Sequence, residues 1–195
     1  MFRRTAGVIA GSLALVVGVS GCSLLEAGGG DAPLSGLAAC ALGHTWQMDV
    51  EDMAGKIKSQ LDAEGIGGDI TLDGTQQLDW DEKGHVVITS DLTMTAVVTV
   101  TTDYIITVTK KQTGTTTGAA YISGEVAIPR DWDESELSIA TTAETGGAPI
   151  EDGSPWPMPS LSFDDSVGLE LTCDGDRLTI HPRGERTTQV WTKTS

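Results

Sequence analysis

The sequence predicts a mainly β protein: an antiparallel meander closed into a barrel, with one amphipathic helix after the first strand. Three observations lead there. Between Val86 and Val100 the even positions read Val86, Ile88, Ser90, Leu92, Met94, Ala96, Val98 and Val100, while the odd positions are mostly threonine. Apolar-polar alternation with period two, with threonine outward, is the pattern of half-buried strands. Turn signals recur between similar runs, at Asp81-Glu82-Lys83-Gly84, Thr113-Gly114, Asp174-Gly175-Asp176 and Pro182-Arg183-Gly184, and short strands joined by short turns favour a barrel or a sandwich. A helix placed between the first strand and the rest is positioned to plug one end of a barrel, which decides between the two.

Taken in order, the first strand holds Thr45-Trp46-Gln47-Met48. Asp49 then caps a helix, with Asp52 three residues on as an imperfect capping box. Val50, Met53, Ala54, Ile57 and Leu61 fall on one face of that helix, and Gly65, Gly67 and Gly68 stop it. After the Val86–Val100 run, further strands are expected at Tyr104–Thr109, Ala119–Ile128, Glu136–Thr142, Val167–Cys173, Arg177–Ile180 and Thr187–Thr192. Between them lies a long loop, 146–166, with a stiff apolar core at Pro155-Trp156-Pro157-Met158-Pro159. Loops of that length in a compact domain are uncommon, and are usually functional or disordered. This one is expected to pack over the sheet, to cover a barrel mouth, or to dock a partner.

The first 21 residues have a different character. Arg3 and Arg4 precede an apolar run from Ala6 to Val19, shorter than the ~20 residues a transmembrane helix needs. A positive start, a short apolar stretch and small residues at its end describe a secretory signal. Val19-Ser20-Gly21-Cys22 resembles the lipobox of bacterial lipoproteins, an aliphatic residue and two small ones before the cysteine that receives lipid. The resemblance implies cleavage before Cys22 and a diacylglycerol on its sulfur. Two acyl chains anchor stably where one anchors only marginally. It places the chain on the extracytoplasmic face of a bacterial membrane. Residues 22–39, rich in Gly, Ala, Ser and Leu, then read as a flexible tether, and 40–195 as a single domain. Of the three cysteines, lipidation of Cys22 leaves Cys40 and Cys173 to pair in an oxidising compartment. Such a bridge would bring the two ends of a meander together, as barrel closure requires.

The folded part shares features with another family. Gly43-His44-Thr45-Trp46, a helix, a β-meander and Trp191 near the C-terminus resemble the calycin or lipocalin-like barrels, with Gly43 and Trp46 carrying the motif. The resemblance implies a cup for a small apolar or amphipathic ligand, for which Trp46, Met94, Tyr104, Tyr121 and Trp156 are the candidate liners. The alternative is a structural or protein-interaction lipoprotein of the cell envelope with a filled core.

Other chemistries find little footing. A net charge of −16 argues against nucleic acid and anionic headgroups as partners. His44, His85 and His181 have no metal-ligand spacing, and nucleotide or serine-nucleophile motifs are absent. Asp79, Asp81 and Gly84 fill three positions of an EF-hand loop, but Lys83 and Ser90 occupy two of the others. Asp79-Trp80-Asp81-Glu82 and Asp131-Trp132-Asp133-Glu134 are near-repeats that read as solvated strand-end turns. No enzyme activity, metal or cofactor is expected.

Overall fold

Strands form where the alternation is, but those predicted at Tyr104–Thr109 and Glu136–Thr142 run well past their bounds, and the one predicted at Ala119–Ile128 is divided by a turn at residues 124–125. In a computed structural model of the chain, residues 34–101, 104–150 and 167–195 are described. Two helices, α1 (Gly36–Ala41) and α2 (Val50–Ala63), accompany nine strands: β1 (His44–Met48), β2 (Gly68–Trp80), β3 (His85–Thr101), β4 (Tyr104–Ser123), β5 (Val126–Thr145), β6 (Ala148–Pro149), β7 (Leu169–Asp174), β8 (Arg177–Pro182) and β9 (Gln189–Lys193). All pairings are antiparallel, and each strand of the ring β1-β2-β3-β4-β5-β7-β8-β9 pairs with the next, β9 returning to β1. The meander is therefore a closed ring of eight strands, as the sequence predicts. β6 pairs only with the far end of β5.

The ring uses only part of its longest strands. β1 pairs with β2 at Gln77–Trp80, and β7 pairs with β5 at Val126 and Ala127. Beyond those levels β2, β3, β4 and β5 continue as a four-stranded sheet that projects from the barrel. From Gly114 to Tyr104, β4 extends about 33 Å at ~3.3 Å per residue.

Two differences from the sequence reading have a clear cause. Thr113-Gly114 is not a turn: β4 passes straight through it, with Gly114 at φ 118°. A β-carbon there would collide with the carbonyl oxygen of Glu136, so glycine marks a close approach of neighbouring backbones inside a strand. β2 escapes the alternation pattern because its inward positions include Gly74 and Gln76 as well as Leu72, Leu78 and Trp80. Gly74, at φ 105°, lies beside the Asp91 carbonyl in the same way as Gly114 beside Glu136.

Both ends of the ring are covered. α1 begins inside the expected tether and ends in the domain, with Leu37 and Ala38 packed on the core and Cys40 disulfide-bonded to Cys173 on β7. The Trp46 indole N–H donates to the Ala41 carbonyl at the end of α1, at 3.0 Å. The Asp49 carboxylate accepts from the Asp52 backbone N–H at 2.9 Å, which caps α2 as expected. Met53 and Ile57 of α2 are buried in one cluster with Leu72, Leu92 and Met94. The helix therefore closes the side from which the long strands project, and Lys56 ties it to the Thr188 carbonyl at 2.8 Å. No helix among the described residues is long and apolar enough to cross a membrane.

Candidate functional site

Of the candidate liners among the described residues, Trp46 and Met94 share the main core cluster, both fully buried. Tyr104 and Tyr121 are 42% and 43% exposed: neither is enclosed, and this corrects the expectation that they line an interior. Tyr121 lies opposite Ile128 on the outer face, with the Arg130 guanidinium 5.6 Å from its ring centre. Trp156 and most of the proline loop, 151–166, lie outside the described residues. At the start of that loop the Ile150 N–H donates to the Ala143 carbonyl at 2.8 Å, and its side chain packs on Ala96, Ile106, Val108 and Ala143.

Tryptophan and branched aliphatic side chains fill the space inside the ring. Trp46, Leu78, Trp80, Leu171, Leu178, Ile180 and Trp191 are all buried in one cluster. The Lys193 ammonium sits 5.5 Å from the Trp46 ring centre, an arrangement favourable by cation–π attraction. Only the first Asp-Trp-Asp-Glu segment is a strand-end turn; the second lies inside β5, where the register against β4 shifts, which corrects that part of the sequence reading. Trp80 points inward from β2, and Trp132 folds over Gly118 of β4, whose missing side chain leaves the ring room. Asp81 accepts from the backbone N–H groups of Lys83 and His85, both at 2.8 Å, in the turn between β2 and β3, and Asp133 accepts from the Ser135 N–H at 2.9 Å within β5. Slight burial disfavours the Asp81 anion, yet these donors and the His85 ring hold its carboxyl below the ordinary range. The Ser135 bonds do the same for Asp133.

A polar row crosses the inner face where barrel becomes projecting sheet. Gln76 and Gln112 donate side-chain N–H groups to the Ser90 hydroxyl, at 2.9 and 3.2 Å, and all three residues are buried. Lys110 follows on the same face, opposite Met94, and burial pushes its ammonium below the ordinary lysine range. Sequence reasoning missed this row, although parity with Ile106 and Val108 points Lys110 and Gln112 inward. The next inner position across the sheet is Ile139, opposite Gln112 and 46% exposed.

The clefts at the surface are open to solvent. One of about 340 Å³ lies between β5, β7 and β8, beside Glu125, Glu170, His181 and Arg183; another of similar volume adjoins His44, Asp79, Asp81 and Glu82. Their acids are engaged locally, Asp79 with Thr45 at 2.6 Å and Glu170 with Arg183 at 3.1 Å. Among the described residues no three acids, histidines or cysteines gather as a metal site.

The outer face of the long strands is regular. Register places Thr71, Thr95, Thr109 and Thr142 in one row across four strands, with Thr93, Thr107, Thr113 and Thr115 on adjoining rows. At the end of the projection Val97, opposite Thr107, and Ile105, opposite Thr99, stand among the hydroxyls of this face, and both are exposed. In comparisons with known proteins, no family model, no curated protein and no solved structure matches this chain.

Proposed function

We propose that this chain is a lipoprotein of the bacterial cell envelope, held on the extracytoplasmic face of a membrane by lipid on Cys22. In this reading its barrel is a filled scaffold and its long outer sheet is the working surface. The observation that carries the scaffold reading is the ring interior, occupied by Trp46, Trp80, Trp191 and their aliphatic neighbours. A carrier keeps a pocket of roughly 300–1,000 Å³ for its ligand, and these side chains take up that space. The Cys40–Cys173 disulfide fits an oxidising compartment, and the lipobox-like Val19-Ser20-Gly21-Cys22 supports the anchor.

Two measurements test this. Radiolabelled palmitate should enter the chain in its native host and be lost in Cys22→Ala; labelling that survives that substitution, or never occurs, refutes the anchor. Native mass spectrometry of the purified protein should give the mass of the cleaved chain with its covalent lipid and nothing further. A second reading, carriage of a small apolar or amphipathic ligand, draws support from exposed Ile139 beside the buried Gln112 on the inner face. An additional lipid-sized mass that is released on denaturation would favour it over the scaffold.

A further inference from the structure

We infer that the outer face of β3, β4 and β5 carries a saccharide-binding groove, with Tyr121 as its stacking surface and Asp131 as an acceptor for sugar hydroxyls. The inference rests on the reading of the outer sheet as the working surface, and it names what that surface takes. The groove has a volume of about 410 Å³ and is lined by His85, Val87, Thr117, Ala119, Tyr121 and Asp131. Small-molecule sites begin at roughly 300 Å³.

Register builds the groove around one row. His85, Ala119 and Arg130 stand side by side on adjacent strands, with Val87 and Thr117 in the row on one side and Tyr121 and Ile128 in the row on the other. Ala119 is only 7% exposed, so the smallest side chain of the row is a floor and its neighbours are walls. The Tyr121 ring is braced by the Arg130 guanidinium and by the Gly84 turn. A ring held in place loses little freedom when a ligand stacks on it.

Strain marks another rim. Asp131 is the only described residue other than glycine with a positive φ, at 54°. Thr117 pairs with Asp133 and Ala119 with Arg130, so Asp131 and Trp132 together oppose Gly118 in a β-bulge. Bulges re-aim side chains and are over-represented beside functional sites, where strained backbone also clusters. This one turns Trp132 onto the core and Asp131 to the groove, where no described group donates to its carboxylate. His85 completes the polar edge. Its Nδ1–H donates to the Asp81 carboxylate at 2.8 Å, which fixes the imidazole and leaves Nε2 for a ligand.

An aromatic ring beside a carboxylate, a hydroxyl and an imidazole matches the two sides of a sugar, C–H faces for the ring and hydroxyls for the polar groups. A groove open to solvent suits a ligand that stays partly hydrated and does not suit an apolar one. The net charge of −16 selects neutral over acidic saccharides.

The test is isothermal titration of the purified full chain with three neutral trisaccharides: chitotriose, maltotriose and cellotriose. At least one should bind, and Tyr121→Ala and Asp131→Gly should each weaken it about tenfold. Thr75→Ala, elsewhere on the same face, should leave it unchanged. Glycine accepts a φ of 54° without strain, so Asp131→Gly removes the carboxylate and keeps the bulge. Failure of all three sugars to bind overturns the inference, as does binding that survives both substitutions. Binding of trilysine that Asp131→Gly abolishes, without saccharide binding, overturns it in favour of a cationic peptide. Neither result alters the palmitate or native-mass measurements, so the anchor and scaffold readings are tested apart from this one.

Discussion

Single residues of this protein do their structural work by leaving space or by filling it. Gly118 gives its place to the Trp132 ring, so Gly118→Val should push the indole out of the core. Overpacking of this kind costs ~1–3 kcal/mol, and a lower urea midpoint with altered tryptophan fluorescence would show it. Lys110 is the opposite case, a charge set on an inner face beside Met94. Because burial depresses its folded pKa, the unfolded chain binds the extra proton between that value and the ordinary one near 10.5. Stability contributed by this group therefore rises with pH through that window. The difference in unfolding free energy between the natural chain and Lys110→Met should change in that direction between pH 7 and 10.5; a pH-independent difference would contradict it. For Asp81 the sign is reversed. Its carboxyl is held low, so its contribution is present above the unfolded value near 3.9 and lost as pH falls through the folded one. Solvent screens most of that contribution, and Asp81→Asn should reduce stability slightly at pH 7 and leave it unchanged near pH 2.

Helix α2 and the long strands show how elements acquire bounds that local pattern does not state. Asp49 stops the chain from entering the helix earlier by accepting the Asp52 N–H. Asp49→Ala should cost ~1 kcal/mol, seen as a lower thermal midpoint with α2 still folded. The close approach of β4 to β5 rests on Gly114, whose φ of 118° is hostile to any side chain and whose β-carbon position is occupied by the Glu136 carbonyl. Gly114→Ala should therefore destabilise more than an ordinary strand substitution, by over ~2 kcal/mol, while Thr113→Ala one residue away should change little. An amide-exchange comparison of the two variants would find β4 and β5 losing protection only in the first.

At the scale of the whole molecule the ring closes unevenly. β3 and β4 pair from His85 to Thr101, whereas β5 and β7 are in register only at Val126–Glu170 and Ala127–Leu169. The Cys40–Cys173 bond spans 133 residues and ties β7 to α1. Closing so long a loop stabilises by ~4–5 kcal/mol in the chain-entropy model. Cys40→Ser with Cys173→Ser should lower unfolding stability by ~2–5 kcal/mol, and amide exchange should rise first at β7 and residues 126–127. Uniform exchange across the ring would count against that seam as the weakest joint.

Residues 86–100 announced a strand because solvent on one side and core on the other impose period two on any half-buried strand, and Asp49 announced a helix because a cap is a contact within one turn. The mainly β class, the meander and the Cys40–Cys173 pairing were legible for the same reason: each rests on interactions local in sequence or on counting. Tertiary structure alone decided that Thr113-Gly114 lies within a strand instead of ending one, because the atoms that exclude a side chain at Gly114 belong to Glu136 on the next strand. It likewise left Tyr104 and Tyr121 exposed and filled the ring with Trp46, Trp80 and Trp191. Which face of a strand turns inward, and whether the enclosed space is a cup or a core, depend on side-chain volumes brought together from eight strands.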